Sequence, residues 1–256
     1  MSTPRPATQS GPRRSWVVLS LIVVLAVVLV AIAVTSDDGG PSAQQPTEPA
    51  PEAPAAEPDD GPVADTVDPE QAEIPDMARR DADDPLAKGP VDAPVVMVVY
   101  SDYQCPYCAV WNERTMPDLE SYVEAGDLRI EWRDINVFGE DSARGSRAAY
   151  AAGLQGRFWD YHAELFAGGE TPTPSRLTQT GLVELAEQIG LDVERFTADL
   201  TSEEVATAVQ ANADEGASIG AFSTPSFVIN ATPVVGAQPT EAFVAVIEEA
   251  LAQAAG

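Results

Sequence analysis

Three residue types with reactive or basic side chains are scarce in this chain of 256 residues, which has two cysteines, one histidine and one lysine. A structural disulfide framework uses more cysteines at wider spacings, so Cys105 and Cys108 do not form one. Lys and Arg together number 14 against 41 Asp and Glu, and the formal net charge is −27. Nucleic-acid binding is excluded, because it depends on cationic side chains that displace counterions from phosphates.

The N-terminal 34 residues combine a basic segment with a long apolar one. Residues 1–15 contain Arg5, Arg13 and Arg14 and no acid, and residues 16–34 contain no charge, glycine or proline. A helix of that length spans roughly 28 Å, which matches the ~30 Å hydrocarbon core of a bilayer. Because bases precede this segment and acids follow it, we expect a cytoplasmic tail, a single-pass signal anchor at 16–34, and an extracytoplasmic remainder at the cell membrane.

A cleavable signal peptide is the alternative to an uncleaved anchor, since the small residues at 31–33 resemble a cleavage site. Beyond the apolar segment, residues 35–85 are rich in proline, alanine and acids. This composition cannot bury enough apolar surface to offset the entropy of ordering, so a disordered linker is expected there. The end of the linker is open, because residues 74–86 can also pack on the domain that follows.

Residues 86–256 have the hydrophobic patterns of one α/β domain. The continuous apolar segment 93–100 is typical of a strand buried on both faces, and the alternating segment 128–135 predicts a second strand. Two short strands at 226–229 and 232–235 are expected to form a hairpin. Helices are predicted at 109–124, where Pro117 bends or divides the helix, and at 142–154, 158–166, 182–189, 193–200, 203–219 and 240–254.

The two cysteines lie in a Cys-Pro-Tyr-Cys segment where the first strand gives way to the first helix. A thiolate is the nucleophile in disulfide exchange, and a helix N-terminus lowers a thiol pKa through its N–H groups and partial positive charge. Pro106 suits the first helical position, where it loses no hydrogen bond. We therefore expect Cys105 at the exposed helix end as the attacking sulfur. Cys108, one turn on and more buried, would resolve the mixed disulfide.

Three other uses of the cysteines are considered. A structural zinc site normally takes four Cys or His ligands, and the chain has three such residues. A Cu(I)-binding module remains open, because soft thiolates select Cu(I). An inert disulfide across four residues at a helix start would stabilise the fold very little.

Four segments resemble, in order, those of the DsbA-like thioredoxin superfamily. They are Ser-Asp-Tyr-Gln-Cys-Pro-Tyr-Cys at 101–108, Pro-Asp-Leu-Glu at 117–120, Gly-Arg-Phe-Trp-Asp-Tyr-His at 156–162, and Gly-Ala-Phe-Ser-Thr-Pro-Ser-Phe-Val-Ile-Asn at 220–230. The resemblance covers roughly residues 86–256. It implies an α/β thioredoxin-like fold with a helical insertion, preceded here by the transmembrane helix and linker. It also implies a protein disulfide oxidoreductase that needs no cofactor or metal.

The resemblance also implies a role for the segment Thr224-Pro225, which would be a cis peptide facing the cysteines. Backbone groups of Thr224 would then pair with an extended substrate, as in strand addition. Tyr107 stands where the best-known oxidising members have histidine, and this difference leaves the oxidising strength open.

Two further residues near these segments are candidates. Asp102, three residues before Cys105, is a possible proton acceptor for Cys108 or modulator of the thiolate, with a turn or capping role as the alternative. His162 is expected to pack or to form hydrogen bonds rather than to act as a catalytic base.

These features together predict a membrane-anchored oxidoreductase that donates a Cys105–Cys108 disulfide to thiols of secreted or envelope proteins. By the resemblance, a quinone-coupled membrane partner would re-oxidise it, and we expect a monomer. A reductase or isomerase on the same scaffold is the alternative enzyme, since Tyr107 and Thr224 are compatible with it. A tethered Cu(I)-binding module is the alternative from another class.

Overall fold

The computed structural model describes residues 74–256. The predicted tail and signal anchor and most of the predicted linker lie outside the described residues. Within 74–256, no helix has both the length and the apolar character needed to cross a membrane.

A mixed sheet of five strands forms the centre of the described part of the chain. The strands are β1 Ala87–Lys88, β2 Val95–Ser101, β3 Leu128–Asp134, β4 Ser226–Ile229 and β5 Thr232–Val235. Their order in the sheet is β1-β3-β2-β4-β5. Strands β2 and β3 are parallel, β1 pairs antiparallel with β3, and β4 pairs antiparallel with β2 and with β5. The predicted strands and the hairpin are confirmed, whereas the two-residue β1 was not predicted.

The helices lie in the predicted places, and Pro117 divides the first predicted helix into two. Helix α1 ends at Arg114 and α2 begins at Met116, so Pro117 occupies the first turn of α2, where no backbone donor is needed. The insertion between β3 and β4 is helical, as expected. The helices are α1 Pro106–Arg114, α2 Met116–Ala125, α3 Glu140–Gly153, α4 Phe158–Leu165, α5 Gln179–Gln188, α6 Val193–Leu200, α7 Glu203–Ser218 and α8 Thr240–Ala254.

Strand β2 is buried on both faces, as its apolar run predicts. Val95, Met97 and Val99 belong to the large core beneath α1 and the insertion. Val96 and Val98 belong to a smaller core on the opposite face of the sheet. Because the strand is fixed from both sides, its C-terminal end holds the loop that carries the cysteines at a defined position.

The segment before β1 packs on the domain, which is the alternative that the sequence left open for residues 74–86. The buried carboxylate of Glu131 accepts hydrogen bonds from the backbone N–H groups of Arg79 and Arg80, both at 2.9 Å. The same carboxylate pairs with Arg133, whose side chain is fully buried, at 2.9 Å. The ion-paired carboxylate on β3 therefore holds this segment through the segment's backbone N–H groups.

Candidate active site

The cysteines lie just after β2, at the N-terminus of α1. Cys105 is the N-cap residue of α1 in an extended conformation, and Pro106 is in the first turn, as predicted. Both cysteines are free thiols. Both side chains are buried, Cys105 with 2% and Cys108 with 1% exposed, so the prediction that Cys105 would be exposed is wrong. The reason is the segment Thr224-Pro225, which covers the sulfur.

The environment of Cys105 favours its thiolate. The pKa of Cys105 is lowered from 9.0 to about 6, chiefly by a hydrogen bond from the Cys108 thiol. Burial opposes this change, while the Thr224 side chain and the backbone N–H groups of Cys108 and Tyr107 add to it. The helix N-terminus therefore acts on the sulfur as the sequence predicts, and Cys105 is ionised at neutral pH.

The environment of Cys108 has the opposite effect. Burial raises the pKa of the Cys108 thiol well above its ordinary value, and the neighbouring Cys105 sulfur raises it further. At neutral pH, one thiolate and one thiol therefore share a hydrogen bond. This asymmetry gives the two sulfurs different chemistry, with Cys105 the better nucleophile and the better leaving group.

The peptide bond between Thr224 and Pro225 is cis. In its protonated form, the Cys105 thiol donates a hydrogen bond of 3.1 Å to the Thr224 carbonyl oxygen. The Pro225 carbonyl in turn accepts one of 2.8 Å from the Gly236 N–H. The structure thus brings together the two segments, 119 positions apart, that the sequence singled out.

Asp102 lies fully buried in the loop before Cys105. Its carboxylate accepts hydrogen bonds from the backbone N–H groups of Gln104 at 2.7 Å and Phe138 at 3.0 Å, and from the Ser142 hydroxyl at 2.6 Å. This arrangement is that of a turn aspartate, which ties the cysteine loop to the start of α3. A proton-acceptor role for Asp102 stays a prediction.

Two residues near the site were not identified from the sequence. Asp134, at the end of β3, lies opposite Ser101, and burial raises its pKa to about 8. Asn112, one turn after Cys108, donates a hydrogen bond of 3.0 Å to the Cys108 carbonyl oxygen. The spacing of four between Asn112 and Cys108 is the one signal in the sequence that points to this contact.

An open cleft of about 680 Å³ adjoins the cysteines on the α1 side. Tyr107, which lies between the cysteines in sequence, and Thr224, which contacts the Cys105 sulfur, both line it, as do the charged residues Arg114 and Glu241. Tyr107 is 64% exposed, and Phe222, two residues before Thr224, is 72% exposed. An extended polypeptide therefore has an apolar and accessible approach to the cysteine loop.

Within residues 74–256 no group of three or more His, Cys, Asp or Glu side chains is arranged to hold a metal ion. His162, the one histidine of the chain, is buried and forms hydrogen bonds through both ring nitrogens, in agreement with its predicted packing role. It makes these bonds to Tyr103 and Asn112.

Residues 81–249 match a family model described as "Thioredoxin". A probable disulfide bond formation protein D of Bacillus anthracis is 29% identical over 147 residues, which are 56% of this chain and 68% of that protein. A Na(+)/H(+) antiporter NhaA 1 of Salinispora arenicola is 32% identical over 182 residues, but the match spans only 26% of the antiporter.

Among solved structures, the oxidised BdbD of Bacillus subtilis matches with a TM-score of 0.60 and 24% identity. That match covers 65% of this chain and 92% of BdbD. The residues that match the family model include the Cys-Pro-Tyr-Cys helix start, the cis peptide between Thr224 and Pro225, and the helical insertion. The chain belongs to the thioredoxin family, and within it to the DsbA-like thiol–disulfide oxidoreductases.

Proposed function

We propose that this oxidoreductase works outside the cytoplasmic membrane and donates its Cys105–Cys108 disulfide to thiols of secreted or envelope proteins. The observation that carries the proposal is the pKa of Cys105, which is lowered to about 6. A thiol of low pKa leaves readily as a thiolate, so a mixed disulfide that contains it is easily displaced by a second substrate thiol.

The reaction proceeds in two exchanges. A substrate thiolate attacks the Cys105 sulfur, forms a mixed disulfide and releases Cys108 as a thiolate, which takes up a proton because its pKa is raised. A second substrate thiolate then attacks the substrate sulfur of the mixed disulfide and expels the Cys105 thiolate. The substrate loses two electrons and the enzyme gains them, and a quinone-coupled membrane partner would remove them again.

Substrate positioning is assigned to the segment Thr224-Pro225 and the cleft beside it. Thr224 lies in contact with the Cys105 sulfur and also lines the cleft. Its backbone is therefore in place to pair with an extended chain whose cysteine reaches Cys105. Exposed Tyr107 and Phe222 would contact apolar side chains, which an unfolded substrate presents and a folded protein buries.

The extracytoplasmic location rests on the N-terminal sequence, where bases precede the uncharged segment 16–34 and acids follow it. The relative's name, disulfide bond formation protein D, agrees with net oxidation outside the cytoplasm. A thiol reagent that does not cross membranes would label Cys105 in intact reduced cells if the domain is outside. Labelling only after cell lysis would contradict this location.

Disulfide transfer is tested with the oxidised full-length protein and a reduced, unfolded secreted protein that has one native disulfide. We expect one disulfide to appear in the substrate for each Cys105–Cys108 pair that is reduced, and no transfer by Cys105→Ala. A protein that leaves the reduced substrate unchanged, but reduces its disulfide when supplied with dithiothreitol, would instead be a reductase.

A further inference from the structure

A chain of three hydrogen bonds connects the loop before Cys105 with the helix that contains Cys108. The Tyr103 hydroxyl lies 2.9 Å from Nδ1 of His162, and Nε2 of His162 lies 2.7 Å from Oδ1 of Asn112. Nδ2 of Asn112 lies 3.0 Å from the Cys108 carbonyl oxygen. A single imidazole from α4 therefore bridges both ends of the redox segment.

The chemistry of the atoms fixes the direction of each bond. A carbonyl oxygen only accepts, so the Asn112 amide nitrogen donates to Cys108 and its Oδ1 is turned toward His162. Oδ1 also only accepts, so Nε2 of His162 carries the proton. In a neutral imidazole the other nitrogen then accepts, and the Tyr103 hydroxyl donates to it.

The surroundings keep His162 neutral and Tyr103 protonated. The imidazole is 2% exposed and lies 4.3 Å from the ring of Trp132 and 5.3 Å from that of Phe158, between centroids. Burial, aided by the charge of Lys88, lowers the pKa of His162 to about 3. Burial raises the pKa of Tyr103 well above its ordinary value. Both groups therefore keep the protonation states that the three bonds require.

We propose that His162 is a positioning residue for the oxidoreductase reaction, because it holds the first turn of α1 in the orientation that stabilises the Cys105 thiolate. Backbone N–H groups of Tyr107 and Cys108 lower the pKa of Cys105, and they act only if that turn keeps its place. Asn112 binds the turn through its hydrogen bond to the Cys108 carbonyl oxygen. The imidazole connects Asn112 to Tyr103, in the loop on the other side of Cys105. This role concerns the cysteine pair itself and holds for either direction of electron flow.

Two quantities test this role. The first is the pKa of Cys105, which is monitored by thiolate absorbance in the reduced full-length protein, and the second is the reduction potential of the cysteine pair. His162→Phe keeps an aromatic ring and removes both nitrogens. We expect the pKa of Cys105 to rise by at least about half a unit and the potential to become more reducing. His162→Gln returns a donor near the position of Nε2, and at least half of the change should be restored.

Phe158→Leu is the matched control, because it loses an aromatic contact to the imidazole and keeps all three hydrogen bonds. It should lower the stability and leave the pKa of Cys105 unchanged. The proposal is overturned if a folded His162→Phe protein has the wild-type pKa and potential, or if Phe158→Leu changes the pKa of Cys105 as much. In either case His162 is merely a core residue, while disulfide transfer itself stays intact.

A measurement on the wild-type protein keeps the proposal testable even if His162→Phe does not fold. His162 is the single histidine, so ¹⁵N labelling of histidine gives one pair of ring signals. We expect a neutral ring with the proton on Nε2 from pH 5 to 8, and the same rise in the pKa of Cys105 in Asn112→Leu. A protonated ring, a proton on Nδ1, or an Asn112→Leu protein with the wild-type pKa would overturn the proposal.

Discussion

The lowered pKa of Cys105 makes the stability of the reduced protein depend on pH. The folded value is about 6 against an ordinary value of 9.0. Because the folded pKa is depressed, the stabilisation is complete above pH 9 and is lost as the pH falls through 6. With these two values, the thiolate stabilises the reduced fold by about 1.4 kcal/mol at pH 7 and by about 4 kcal/mol well above pH 9.

Urea unfolding of the reduced protein at several pH values measures this effect. The Cys105→Ala variant is the reference, because it lacks this thiol and keeps the other titratable groups. The difference in unfolding free energy between wild type and variant should grow by about 2.5 kcal/mol from pH 5 to pH 8. A difference that stays constant over this range would mean that the Cys105 pKa is the same in the folded and unfolded protein, and that the thiolate does not stabilise the fold.

Three substitutions, two of them with a matched control variant, test other parts of the structure. Thr224→Val removes a side chain that lowers the pKa of Cys105, so thiolate absorbance should titrate closer to pH 9, whereas Thr224→Ser should titrate as wild type. Glu131→Gln removes the buried carboxylate that pairs with Arg129 and Arg133, of which Arg133 keeps Asp84 and Glu215, and should cost about 3–5 kcal/mol in urea unfolding. Glu164→Gln, in an exposed ion pair with Arg176, should cost less than about 1 kcal/mol. Gly216→Ala would place a methyl carbon 2.7 Å from Cγ2 of Ile135, so a loss of about 1–3 kcal/mol is expected, and an unchanged stability would contradict the packing of α7 on β3.

The cysteine helix could be predicted because local sequence encodes it, and the cis peptide because its segment resembles one of the family. A proline after Cys105 suits a helix start wherever the helix packs, and Thr224-Pro225 was identified from its resemblance to a family segment. The apolar run of β2 likewise predicted burial on both faces, and the two cores confirm it. Such features do not depend on knowing which distant residues meet.

The contacts made by Asn112, Asp134 and the segment before β1 could not be predicted. Asn112 meets His162 across 50 positions, and Asp134 lies opposite Ser101 only because of the strand register. Arg79 lies in a segment whose composition predicts a disordered linker, yet its backbone N–H donates a hydrogen bond to the Glu131 carboxylate, 52 positions away. Composition misses such segments, since backbone hydrogen bonds to one buried carboxylate and a few apolar contacts, here from Ile74, Met77 and Ala78, hold them. The burial of Cys105 was missed for a related reason, because the covering segment lies 119 positions away.

The reduction potential of the Cys105–Cys108 pair tests the central claim, disulfide donation, most directly. The lowered pKa of Cys105 alone makes the pair about 30 mV more oxidising at pH 7, because it stabilises the reduced form by about 1.4 kcal/mol. Equilibration of the protein with glutathione buffers gives the value. A potential closer to ~−120 mV than to ~−270 mV is expected for a disulfide donor, and one at or below ~−270 mV would mean that the protein is a reductant.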